Sequence, residues 1–246
     1  MPLTAIAQKR LYTQVAEQVA ALIREGHWKE GERLPAERDL AQQLGVSRPT
    51  VREAMIALEL MGLVEVRTGA GIYVQNAKPG CVTLFVQDQG PGPFELMAAR
   101  RIIEGETAAI AAQTIDDVGL ADLANAITKM EKDIEKGVQG IANREDGDLL
   151  FHNRIARCTD NLVLVSIVDQ LWESMRQPMF QAIVELVRLP GNARRAAADH
   201  RIILERIQAR DAQGARAAMH DHLDQVMSWL MQDGVNGDNE SSPAGD

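Results

Sequence analysis

Asp148 and His152 stand four residues apart in a segment of helical periodicity, so a carboxylate and an imidazole stack on one face. The apolar stripe of that segment continues through Ile155, which turns both inward. His200 is in phase with Ile203 and Ile207, and His222 with Met219, Val226 and Trp229. His220, two residues from His222, faces elsewhere. Arg100 belongs to the stripe Leu96, Arg100, Ile103, Thr107, Ile110, and its neighbour Arg101 does not. Unpaired, such groups on buried faces would cost too much, so they must converge on each other or on something bound. A single inward histidine is more often a hydrogen-bonded core residue. Three imidazoles and a carboxylate in phase are also a first-row metal set, suited to Zn, Ni, Mn or Fe.

A second set lies near the N-terminus. Ser47 is a good N-cap for a helix that begins at Arg48, and Arg48, Thr50 and Arg52 occupy its first turns. A helix entering a DNA major groove N-terminus first presents side chains at those positions. Arginine reads guanine bidentately or binds phosphate, hydroxyls and free helix N–H groups suit phosphate, and Arg38 supports from the preceding segment. Arg48 and Arg52 are both expected to face solvent. The competing reading is a small helical domain with a solvated charged face.

The elements that must carry these residues follow from periodicity and breakers. Leu11, Val15, Val19 and Leu22-Ile23 mark a helix stopped by Gly26, and Ala36 to Leu44 a second, ended by Gly45. A third helix runs from Arg48 to Leu60, broken by Gly62. The runs 63–67 and 72–74 around Thr68-Gly69-Ala70-Gly71 predict a β-hairpin. Pro79-Gly80 and Gly90-Pro91-Gly92-Pro93 flank the apolar patch Val82 to Val86, which predicts a linker with a short strand. Helical patterns then cover 94–113, 116–136, 140–158, 162–186, 192–210 and 211–231. The last residues, 233–246, are acidic and rich in Gly, Asn and Ser, the composition of a disordered tail.

Composition narrows the function classes. With 46% apolar and 25% charged residues over 246 positions, disorder of most of the chain is excluded. Aromatics at 4% favour helices over a β-sandwich. Two cysteines cannot build a disulfide framework, and neither a signal peptide nor a spanning helix is visible, so a reducing cytoplasm is the expected compartment. Both cysteines, Cys81 and Cys158, read as structural. The net charge of -9 argues against a nucleic-acid partner until it is divided along the chain. Residues 1–79 hold ten basic and nine acidic side chains, leaving 16 basic and 26 acidic ones beyond, so only the first third can approach a polyanion.

The stretches Gly31-Glu-Arg-Leu-Pro-Ala-Glu-Arg38, Leu44-Gly-Val-Ser-Arg-Pro-Thr-Val-Arg-Glu-Ala54, Gly62-Leu-Val64 and Gly69-Ala-Gly-Ile-Tyr-Val74 resemble the winged helix-turn-helix of GntR-family transcription regulators. The resemblance implies that Arg38, Ser47, Arg48, Thr50 and Arg52 contact operator DNA and that Gly69 at the wing tip enters the minor groove. Arg100-Arg-Ile-Ile-Glu104, Asp148-Leu-Leu-Phe-His152, Asp199-His200 and Ala218-Met-His-Asp-His222 are similar to the helical effector-binding domain, FCD, of the FadR branch. There the matching Asp148, His152, His200 and His222 hold a divalent metal, and Arg100 helps bind a small carboxylate effector. Within that branch, Gly92-Pro-Phe-Glu-Leu96 and Gly147-Asp148 resemble the UxuR/ExuR-type hexuronate regulators.

The expected architecture is therefore mainly α. A winged helix-turn-helix at 8–75 and a linker at 76–93 precede an all-helical antiparallel bundle at 94–232 and the tail at 233–246. The expected function is a homodimeric repressor that leaves its operator when a hexuronate or related sugar acid binds, with no membrane role. The rival from another class is a metal-dependent enzyme acting on a small carboxylate, which lacks an obvious general base, since Glu104 is the only inward-capable candidate and nothing marks it as catalytic. A helical interaction module without ligand leaves the buried polar set unexplained.

Overall fold

A computed structural model describes residues 10–67, 70–75, 91–136, 147–177, 180 and 190–231. They form two compact units divided between residues 85 and 86, with the chain from Trp229 onward grouped with the first.

The first unit opens with α1 (Leu11–Arg24), α2 (Glu37–Leu44) and α3 (Arg48–Leu60). Tyr12, Val15, Ala16, Val19 and Ala20 give α1 a buried stripe, and it packs on α3, whose Val51, Ala54, Met55 and Leu58 are sealed from water. Gly45 ends α2 in the left-handed conformation, and only Ser47 separates its cap region from α3 after Val46. That is the tight turn that sets two helices across each other.

β1 (Val64–Arg67) and β2 (Gly71–Val74) pair antiparallel in the register Val64↔Val74 to Arg67↔Gly71. The segment between α1 and α2 also joins this ribbon: Gly31 N–H donates to the Val74 carbonyl and Leu34 N–H to that of Ile72, with Arg33 bridged to Tyr73. Periodicity gave no sign of this third strand-like edge, because Gly31 to Leu34 is too short to show an alternation and is fixed by its partner. Gly71 has φ 119° and the Arg33 guanidinium lies across it, so a side chain there would meet both strain and a clash.

The second unit contains α4 (Pro93–Thr114), α5 (Asp117–Glu135), α6 (Gly147–Arg157), α7 (Leu162–Ser174), α8 (Pro190–Gln208) and α9 (Ala212–Met231), the last turn of α9 excepted. Their starts are capped as the residue types dictate. Glu95 accepts the Gly92 N–H, Asp116 that of Gly119, and Asn161 those of Val163 and Leu164. Phe94, Met97, Leu123, Phe151, Ile155, Ile203, Ile207, Met219 and Leu223 make up its core. α5 and α6 approach so closely that a Cβ on Gly147 would meet the Ala126 carbonyl.

The helix expected over 162–186 ends at Ser174, followed by a turn through Gln177. Pro178 is the physical reason: it removes a backbone donor and disfavours helical geometry in the residue before it. The predicted strand at 82–86, residues 140–146 of the helix expected over 140–158, most of the linker, Cys81, Gly69 and the tail lie outside the described residues. Among the described residues no helix is long and apolar enough to cross a membrane.

Candidate functional site

In the first unit, the Ser47 hydroxyl accepts the Thr50 N–H at 3.3 Å and shares a 2.7 Å hydrogen bond with the Thr50 hydroxyl. That cap starts α3 at Arg48, which projects into solvent. Arg38 is exposed beside Asp39. Arg52 departs from its expected place. Its side chain is only 12% exposed and Nη1 donates to Glu37 Oε1 at 2.8 Å. One helical turn beyond Arg48, it is turned toward α2, where the Glu37 carboxylate meets it. The solvent-facing set therefore consists of Arg38, Ser47 and Arg48, with Thr50 half-buried.

In the second unit, Asp148 and His152 of α6, His200 of α8 and His222 of α9 converge, one ligand atom from each lying within 4.8 Å of all the others. His152 Nε2 is 3.1 Å from His200 Nε2, and Asp148 Oδ1 is 3.0 Å from His200 Nε2 and 3.4 Å from His152 Nε2. His220 is not among them. It packs instead over Gly105, where α4 has no side chain.

The opposite ring nitrogens decide the protonation. His200 Nδ1 donates to the Ala196 carbonyl at 2.6 Å, His152 Nδ1 lies against Glu104 Oε2 in an ion-pair contact, and His222 Nδ1 faces Asp199 Oδ2 at 3.5 Å. With a proton on each Nδ1, the neutral rings present Nε2 lone pairs. Lone pairs of His152 and His200 then face each other across 3.1 Å in a buried site, an arrangement that a cation between them relieves. The donor set fits a divalent metal. All three imidazoles are buried, whereas Asp148 keeps one oxygen sealed against them and the rest of its side chain 43% exposed.

Burial opposes the charge of Asp148, yet hydrogen bonds and charge from His152 and His200 hold its carboxyl well below the usual range. Burial and the neighbouring His200 push His222 down to about 4. Burial acts the same way on His152 and is the largest single effect there, but the Glu104 charge together with hydrogen bonding to Asp148 and Glu104 overcomes it and raises that imidazole.

Arg100 is buried on α4, where Nε and Nη2 donate to Glu104 at 2.6 and 3.2 Å. Nη1 has the Met97 sulfur at 3.9 Å. Arg101 points away and pairs with Asp224. Glu104 thus joins Arg100 to His152. Although burial raises a carboxyl, the Arg100 and His152 charges hold Glu104 at about 2. A carboxylate engaged by both Arg100 and His152 is poorly placed to accept a further proton, so the one inward-capable candidate base is committed to these two partners.

Two members of the site escaped the sequence reading in these roles. Glu104 was recognisable as inward, four residues after Arg100, but its partner on α6 was not. Asp199 follows no apolar stripe and becomes meaningful only when α9 brings His222 beside it.

Residues 95–225 match the family described as FCD domain, and residues 11–74 the one described as Bacterial regulatory proteins, gntR family. The chain is 34% identical over 234 residues to the Uxu operon transcriptional regulator of Escherichia coli (strain K12), across 93% of this chain and 90% of that one. It is 33% identical over 231 residues to the Exu regulon transcriptional regulator of the same strain, across 92% and 86%. Among solved structures, E. coli McbR/YncC superposes with a TM-score of 0.50 at 24% identity, over 92% of this chain and 99% of that one, a likeness of fold alone. With a DNA-binding unit and a helical unit both matched in order, the chain belongs to the GntR family of bacterial transcription regulators, in the branch that carries an FCD domain.

Proposed function

We propose that the chain is a homodimeric repressor of a sugar-acid catabolic operon, which holds a divalent metal at Asp148, His152, His200 and His222 and leaves its operator when a hexuronate or related acid binds. The observation that carries this reading is the convergence of three imidazoles, each with its Nδ1 facing an oxygen, on one carboxylate beside a buried arginine. The relatives named for the uxu operon and exu regulon support the choice of hexuronates.

Arg38, Ser47, Arg48 and Thr50 supply the operator contacts, with Gly69 at the wing tip, while Arg52, paired with Glu37, supports the turn between α2 and α3. A bound metal supplies a Lewis-acidic anchor for a carboxylate and its adjacent hydroxyl or keto oxygen. Arg100 adds a charge-assisted hydrogen bond from the N–H groups that Glu104 leaves over, those of Nη1 and the second on Nη2. Release follows by linkage: the acid must bind more tightly to an arrangement of the recognition helices that does not fit the operator, since equal affinity for both would shift nothing.

The test is operator release by metal-loaded protein. Fructuronate, tagaturonate, glucuronate or galacturonate should release the DNA, and neutral hexoses should not. Arg100→Lys should weaken the active acid while leaving operator affinity without ligand nearly unchanged. A neutral hexose as effective as the acids, or no calorimetric heat with any of the four, would overturn the reading.

A further inference from the structure

Trp172 of α7 forms an aromatic wall beside the metal-ligating cluster. The Arg100 guanidinium lies 4.3 Å over its ring, and the centre of the His152 ring is 5.3 Å away. The residue is 8% exposed, and its indole Nε1 is sealed from water with no acceptor among the described residues. A buried N–H in that state has given up its hydrogen bond to water and received nothing for it. Stacking on Arg100 does not compensate, because a cation over the ring uses the face and leaves the in-plane N–H untouched. Phenylalanine would provide the same face without an orphaned donor.

We infer that the Trp172 N–H is a ligand-binding donor, which meets a hydroxyl or keto oxygen of the sugar acid whose carboxylate Arg100 engages. The inference rests on the sugar-acid reading above and adds a selectivity to it. A short hydroxy acid such as glycolate satisfies a metal and a guanidinium with its carboxylate and one hydroxyl, leaving the indole donor unused. A six-carbon acid carries further oxygens along its chain, and one of them gives the donor its acceptor. Trp172 thereby discriminates chain length and oxygenation, whereas Arg100 discriminates charge.

Calorimetry on the full-length, metal-loaded protein tests this with glucuronate, galacturonate, fructuronate and glycolate. Trp172→Phe, with metal content equal to wild type, should bind the preferred uronate about tenfold more weakly, the loss of one hydrogen bond, and glycolate unchanged. Equal losses for uronate and glycolate would assign Trp172 a packing role and overturn the inference, as would no loss for either. A second measurement covers a variant that fails to fold. In the protein carrying Trp28→Phe and Trp229→Phe, Trp172 is the remaining indole, and saturating uronate should shift its emission; unchanged emission overturns the inference. If the wild type binds none of the uronates, the sugar-acid reading fails and takes this inference with it. Wild-type binding with an indifferent Trp172→Phe sinks the inference alone.

Discussion

A histidine is committed to a role by what its second nitrogen touches, and His222 and His220 show how sharply two residues can separate in this respect. His222 turns Nδ1 to Asp199 and its other nitrogen to the cluster, while His220 lies over Gly105 on the far side of the same helix. His222→Ala should therefore remove most of the bound metal, and His220→Ala should leave it near wild type, as measured by metal analysis of protein purified without chelator. Equal loss in both would reject the assignment. At this scale the phase of α9 and α4 was legible: it separated His222 from His220 and Arg100 from Arg101. The Glu104 and Asp199 contacts were not legible, because each spans two helices and the sequence periodicity of one helix says nothing about its neighbour's register.

At the scale of elements, the proposed operator contacts lie at the exposed start of α3, whereas Arg52 in the next turn is paired with Glu37 of α2. Arg48→Ala deletes an exposed side chain, so operator affinity should fall by about 1–3 kcal/mol with the melting temperature unchanged. Arg52→Ala leaves Glu37, 18% exposed, without its guanidinium, so it should lower the melting temperature as well as DNA binding. Parallel titrations at one salt concentration with thermal melts distinguish the two; identical melting curves for both variants would contradict the placement of Arg52. Helix limits were legible where a residue type enforces them, as at Ser47, Gly45 and Asn161. The overextended helix beyond Ser174 shows the opposite case, where apolar spacing through Leu186 outweighed Pro178 in the reading. The Gly31–Leu34 edge of the hairpin had no periodic signature, since its hydrogen bonds run to β2 rather than along its own sequence.

For the whole molecule, metal binding and folding are linked, because the unfolded chain does not present the four ligands together. The sign with pH follows from the imidazoles. His152, raised by Glu104, takes up a proton at a higher pH than a free histidine, so competition with the metal begins above the ordinary imidazole range as pH falls. His222, pushed down to about 4, still offers its lone pair there. The increment in melting temperature given by metal should consequently begin to shrink above the ordinary imidazole range as pH falls, and be lost by about pH 4. An increment constant down to pH 5 would show that His152 is not a ligand. Asp148 sets a second property of the centre, its lability. Three ligands are locked in the interior, but the free oxygen of this carboxylate meets solvent, so a scavenging chelator gains a foothold there before any imidazole moves. A metal held by these four residues would be reached from solvent first at Asp148, the one ligand with an exposed side chain.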